Sequence, residues 1–167
     1  MDPEDVPPVY RAPMRSRRDD VGAAAGTRRA LVAGVCGIGG VVEAEPDDLA
    51  HAVDLVARAH GERTARRLAR FAAIPAGAFV WACLPPDGGY RLGRLTGPWR
   101  YDASPAAREV DLVHVRDCAW LPGPVPERDV PAATLRTYAR GGRNLQRTHD
   151  AGIGQQTLAF WNAATAH

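Results

Sequence analysis

The run GAFVWACLPPDGGYRLGRLTGPWRYD, Gly77 to Asp102, switches the chain from helical to strand periodicity. In its first eight residues Phe79, Trp81 and Cys83 fall on one face of a strand, and Ala78, Val80 and Ala82 on the other. Pro85–Gly89 is a turn sequence and YRLGRLTG (Tyr90–Gly97) resumes an apolar strand, so the segment reads as a hairpin. Trp99–Asp102 supplies a third strand. DLVHVRDCAWL (Asp111–Leu121) is a further β-rich run, and NLQRTH (Asn144–His149) alternates like a last one.

Upstream the period is helical. Pro46 and Asp47 give a start signal, and Leu49, Val53 and Val56 share one face. Gly61 interrupts; ERTARRLARFAAI (Glu62–Ile74) resumes with Leu68 and Phe71 inward and its arginines outward, until Pro75 stops it. This predicts two consecutive helices, roughly 47–60 and 62–73. RRALVAGVCGIGG (Arg28–Gly40) reads as a buried strand closing on glycines. Residues 1–27 carry Pro3, Pro7, Pro8, Pro13 and a charge run from Arg15 to Asp20, the composition of a disordered leader. A short helix is expected over 131–140, before Gly141-Gly142, and a terminal one over 155–164 around Trp161. The expected organisation is therefore a leader (1–27), one folded module (28–150) and a C-terminal helix or tail (151–167). The fold class is α+β: a small, strongly curved, barrel-like sheet flanked by helices.

At 167 residues, 46% hydrophobic and 24% charged, the chain has the composition of an ordinary globular domain. All 21 basic residues are arginine. The absence of lysine excludes a phosphate-loop lysine, a Schiff-base lysine and a carboxylate–lysine nuclease site. Cys36, Cys83 and Cys118 form no CxxC pair and read as buried thiols of a reducing compartment. The acidic, proline-containing start MDPEDVPPVY lacks the pattern of a signal peptide. The longest apolar stretch, Ala30–Val42, is 13 residues and glycine-broken, too short for a membrane span. A cytoplasmic, nucleoid-associated protein is the expectation.

Most catalytic readings fail on spacing. GVCGIGG (Gly34–Gly40) places Val42 where a dinucleotide fingerprint needs glycine. Ser16 and Ser104 lie outside any GxSxG, and His51, His60, His114, His149 and His167 show no HxxxH or HExxH spacing. Asp150 beside His149 reads as a surface turn. Arginine and aromatic placement says more. Residues 1–87 hold 11 arginines against 12 acids, whereas residues 88–149 hold 10 against 6. Arg136, Arg140, Arg143 and Arg147 follow one another with no intervening acid, as a phosphate-binding face requires. Trp99 and Tyr101 project from one face of a strand while Arg100 points away, an arrangement suited to stacking a base. Trp120 is assigned to the core.

These pieces, together with DLVHVRDCAWL and RGGRNLQRTHD (Arg140–Asp150), resemble the EVE-like members of the PUA superfamily. The likeness is greatest to bacterial modules that read modified bases, including recognition domains of modification-dependent restriction systems. Relatives include YTH domains, which cage 6-methyladenine, and functionally SRA domains, which flip 5-methylcytosine. The likeness covers roughly residues 28–149. The chain departs from it at Gly40, where many relatives carry Trp.

The resemblance implies a curved sheet with a concave pocket for a flipped base. Carried over by residue, it makes Trp81, Trp99 and Tyr101 the pocket walls, Asp102 an acceptor for an exocyclic amine, and the Gly39-Gly40 backbone the floor. Asn144 and Gln146 become contacts to the base edge or the orphaned partner base, and Arg100, Arg140, Arg143 and Arg147 take phosphates. The implied function is non-enzymatic: binding double-stranded DNA that carries a modified base, first among them 5-methylcytosine, with no cofactor, metal or membrane. A separate nuclease or regulatory protein would act on the result. The alternatives are a PUA-type RNA-binding module and a nucleic-acid-processing enzyme using Asp102, Asp111 or Asp117.

Overall fold

The computed structural model describes residues 5–85 and 89–166. In chain order they form β1 (Val9–Arg11), α1 (Ala25–Ala33), β2 (Val35–Ile38), α2 (Leu49–His60), α3 (Glu62–Ala73), β3 (Phe79–Cys83), β4 (Tyr90–Tyr101), α4 (Pro105–Glu109), β5 (His114–Trp120), α5 (Ala132–Ala139), β6 (Gln146–Arg147) and α6 (Ile153–Thr165). The strands make one mixed, strongly curled half-barrel in the order β2-β5-β4-β3-β1-β6. Neighbours pair antiparallel except β1 with β3, which run parallel. The fold is α+β, as the strand and helix periodicities imply.

The alternation in β3 partitions the core. Phe79 and Trp81 pack with Val9, Leu92 and Ile153 on one face. Ala78, Val80 and Ala82 pack with Phe71, Leu95 and Val115 on the other. β3 and β4 pair from Phe79↔Arg94 to Cys83↔Tyr90, as a hairpin does. Of the expected turn Pro85–Gly89, residues 86–88 lie outside the described residues. A third cluster, Val42, Ala52, Val56, Ala65 and Leu68, joins α2 and α3. These two helices start and stop within two residues of their sequence-derived bounds.

Three expectations are corrected. Arg28–Gly40 is not one strand: α1 runs to Ala33, the left-handed Gly34 closes it by donating its N–H to Ala30 O, and only Val35–Ile38 pairs with β5. A short apolar run carries no information that separates buried helix from buried strand. Residues 1–27 are not a disordered leader over their described part, because Val9–Arg11 inserts between β3 and β6 and Ala12 and Met14 enter the main core. That strand is stabilised by partners some 70 and 135 residues away, which local composition does not reveal. The expected strands at 90–97 and 99–102 are one strand with a register shift between Leu95 and Trp99. Pro98 lacks the N–H that a regular ladder needs there. The expected terminal helix is present as α6 and packs on the body: Phe79 meets Trp161 at 5.6 Å between ring centroids, and Trp81 Nε1 donates to Thr157 Oγ1 at 3.4 Å.

Two buried arginines brace this architecture from inside. Arg116 on β5 donates through Nη1 to Phe71 O (3.1 Å) and Ile74 O (2.5 Å), and through Nε to Gly97 O (2.8 Å). Arg11 on β1 donates to Thr137 O and Gly141 O, both at 2.7 Å, and to Asn144 O at 3.3 Å. Each places a cation at a helix C-terminus, α3 and α5 respectively, where the unpaired carbonyls and the macrodipole favour positive charge. Both therefore fix the segments that follow or flank these helix ends.

Candidate functional site

Those fixed segments surround an open cleft of about 850 Å³, inside the range of roughly 300–1,000 Å³ typical of ligand sites. β1 contributes Tyr10, and the N-terminal segment Met14–Arg18 forms one rim. The end of β2 supplies the ribbon Gly37–Val41; α3 supplies Thr64, Arg67, Arg70 and Phe71; the segment before and within β6 supplies Arg143–Arg147. Asp111 lies among them.

The glycine ribbon is held by two side chains. Asp111, only 8% exposed and at φ +54°, accepts the Gly40 N–H through Oδ1 at 3.0 Å and the Ser16 hydroxyl through Oδ2 at 2.7 Å. A Cβ on Gly39 would lie 2.6 Å from Asp111 Oδ2, so only glycine leaves that carboxylate in place. Gly40 sits at φ +123°, a region L side chains rarely adopt. That backbone conformation disfavours any side chain at position 40. On the other side of the ribbon His114, fully buried, donates from Nε2 to Gly40 O at 2.8 Å, because its Nδ1 accepts Trp99 Nε1–H at 3.2 Å. Burial pushes its pKa down to about 4, against a smaller opposing pull from the Gly40 carbonyl and Asp111.

This geometry corrects the expected walls. Trp99 stacks on His114 at 6.1 Å and Tyr101 meets the same ring edge-on at 5.3 Å. The Tyr101 hydroxyl donates to Val42 O and accepts from Val42 N–H, both at 3.2 Å. Trp99 and Tyr101 pack against the cluster of α2 and α3, so the pair braces the ribbon from behind. Trp81 is fully buried in the core between β3 and α6. Asp102 is bound to Arg29 at 3.2 Å and accepts the Ser104 N–H at 3.0 Å, away from the cleft. Burial raises its pKa, but the bonds from Ser104 and Arg29 outweigh that and hold it below the ordinary carboxylate range.

Of the expected phosphate ligands, Arg143 and Arg147 line the cleft, as do Asn144, Gln146, Gly39 and Gly40. Arg100 does not; it pairs with Asp117 at 2.6 Å on the exposed side of β4. Arg140 is exposed at the end of α5 and outside the lining, and Arg136 pairs with Asp150 at 2.7 Å. Asn144 Oδ1 accepts from Arg17 at 2.7 Å, and Arg143 donates to Ser16 O at 3.4 Å, which ties the two rims together.

Sequence reasoning missed Tyr10, the cleft's partly exposed aromatic ring, and the arginines Arg17, Arg67 and Arg70. It also weighed Asp111 only as a catalytic carboxylate. One signal was present: Arg63, Arg67 and Arg70 recur at helical spacing on one face of α3. Among the described residues no group of three His, Cys, Asp or Glu side chains is placed to hold a metal, and no helix is long and apolar enough to cross a membrane. Burial pushes the Cys36 thiol up to about 12, so it holds its proton in the core. No family model matches this chain, and no curated protein matches it.

Proposed function

We propose that this protein binds DNA containing a modified base, 5-methylcytosine first among the candidates, by receiving the extruded base in the Gly37–Gly40 cleft. The observation that carries the reading is the pairing of a buried acceptor, Asp111, with a cleft whose rims are arginine. A carboxylate has about four acceptor sites, and Gly40 and Ser16 take two of them. The remainder suits an exocyclic amine such as the cytosine 4-amino group. The role first given to Asp102 passes to Asp111. The half-buried Tyr10 supplies an aromatic ring to the same cleft, and stacking on it offsets part of the cost of unstacking, each being a few kcal/mol. Burying one methyl contributes about 0.8 kcal/mol, and close packing brings discrimination to roughly tenfold.

The test is fluorescence anisotropy with one duplex in three versions, unmodified, 5-methylcytosine and 6-methyladenine, at two salt concentrations, beside a matched RNA. Preference for one modified duplex is expected in the wild type. Asp111→Asn keeps the size of the side chain, suits a positive φ and turns an acceptor toward the amine into a donor. It is expected to remove the preference while leaving the salt dependence intact. Equal, salt-sensitive binding to every DNA, or tighter binding to the RNA through its 2′-hydroxyls, would overturn the DNA reading.

A further inference from the structure

Resting on the reading of the cleft as a base pocket, we propose that its α3 wall is a phosphate seat. Arg67 and Arg70, joined by Arg17 from the N-terminal rim, hold the phosphate of the nucleotide whose base lies beside Asp111.

The distribution of ion pairs points there. Within the described residues the carboxylates pair with Arg18, Arg29, His51, Arg58, Arg100 and Arg136, all outside α3. Arg67 and Arg70 make no side-chain hydrogen bond or ion pair among the described residues, although both line the cleft. Asp111, the acid that lines the same cleft, is already engaged by Ser16 and Gly40. Partial burial first, and then the guanidinium groups of Arg17, Arg63 and Arg70, pull the Arg67 pKa below its ordinary value. Like charges gathered without counter-charge oppose folding, and a dianion or diester placed among them removes that opposition. The guanidinium fork matches two phosphate oxygens at once, and residues three apart on a helix present two forks to one site. Arg116, bonded to Phe71 O and Ile74 O, fixes the end of α3 that carries Arg70. The ligand class that follows is a nucleotide with its phosphate, not a free base or nucleoside.

Calorimetry on the full chain with four probes tests this: 5-methyl-dCMP, 5-methyldeoxycytidine, dCMP and inorganic phosphate. The wild type is expected to bind 5-methyl-dCMP at least tenfold more tightly than the nucleoside. Arg67→Gln with Arg70→Gln is expected to abolish that ratio while leaving nucleoside affinity unchanged. It should also lower the salt slope for duplex binding by about 1, near one unit for the single phosphate no longer neutralised. Arg70→Gln alone, at an exposed position, gives a partial loss and covers the case in which the double variant folds poorly. Arg100→Gln, outside the cleft, is expected to change neither quantity. Equal affinity for nucleotide and nucleoside, a ratio that survives the double substitution, or no binding of any probe at millimolar concentration would overturn the seat. Equal binding of dCMP and 5-methyl-dCMP with the phosphate ratio intact would instead sink the methyl-reading and leave the seat standing.

Discussion

The ribbon Gly39–Val42 separates two opposite environments. Behind it the polar atoms are matched: Trp99 Nε1 to His114 Nδ1, His114 Nε2 to Gly40 O, and the Tyr101 hydroxyl to Val42. In front of it, Arg67 and Arg70 form no ion pair among the described residues, and Asp111 keeps acceptor capacity. Buried polar groups that are fully paired specify a single structure, whereas unpaired charges on an open wall are ready for a ligand. The aromatic side chains that look most like a base cage thus build the support, and residues of ordinary sequence build the opening.

The largest effect separates core from cleft. Trp81→Ala is expected to cost about 3–5 kcal/mol of stability, the usual range for emptying a buried aromatic site, because Trp81 is 0% exposed and packed between β3 and α6. Urea unfolding measures it. Trp81→Phe should restore most of the stability with base preference unchanged; a selective loss of preference in that variant would return Trp81 to the pocket.

Next comes the rear brace under acid. His114 has an ordinary pKa of 6.5 and is pushed down to about 4 by burial in the fold. Between these values the unfolded chain binds the proton and the folded one does not. Stability is therefore full above pH 6.5 and falls as the pH drops toward 4, by about 3 kcal/mol at 1.36 kcal/mol per unit. The groups facing the ring are Asp111, which opposes the shift, and His60, which adds to it. His114→Gln, which retains a donor for Gly40 O, should flatten the unfolding midpoint across that window. A wild-type profile as flat as the variant's would show that the ring is not held neutral.

A smaller change probes the same division. Tyr101→Phe removes a hydroxyl bonded to both polar atoms of Val42 and is expected to cost about 1 kcal/mol. Selectivity between modified and unmodified duplex should survive it. If selectivity vanishes while stability holds, the front and back of the ribbon are not separate.

How far the sequence carried these distinctions depends on range. The two helices, the alternation of β3 and the hairpin were legible because 3.6- and 2-residue periods are local. β1 was not, since Val9–Arg11 is too short to show a period and is held by β3 and β6. Gly39, Gly40, Asn144 and Gln146, which line the cleft, were singled out only by motif resemblance, and Arg143 and Arg147 already by the arginine run that carries no intervening acid. Summing charge along the chain hid the other rim: Arg17, Arg67 and Arg70 lie in the half with more acids than arginines, yet among the described residues none of the three forms an ion pair with those acids. Trp99 and Tyr101 do share a strand face, but that face packs against α2 and α3 and not into the cleft, a long-range contact that the strand's own residues do not show.

The smallest expected effect runs against intuition and tests the front directly. Arg67→Gln should raise the stability of the ligand-free protein, by a few tenths of a kcal/mol, the scale of surface charge interactions. The substitution relieves repulsion from Arg17, Arg63 and Arg70 and breaks no ion pair among the described residues. Because the repulsion is electrostatic and open to solvent, the gain should shrink as salt rises to 1 M, where the screening length is only about 3 Å. Arg100→Gln is the control: it loses a 2.6 Å pair with Asp117 and should show no gain at any salt concentration. A salt-independent loss of stability in Arg67→Gln would mean that this side chain holds the fold through its packed stem. The contrast between a satisfied back and an expectant front would then fail at the residue on which the phosphate seat most depends.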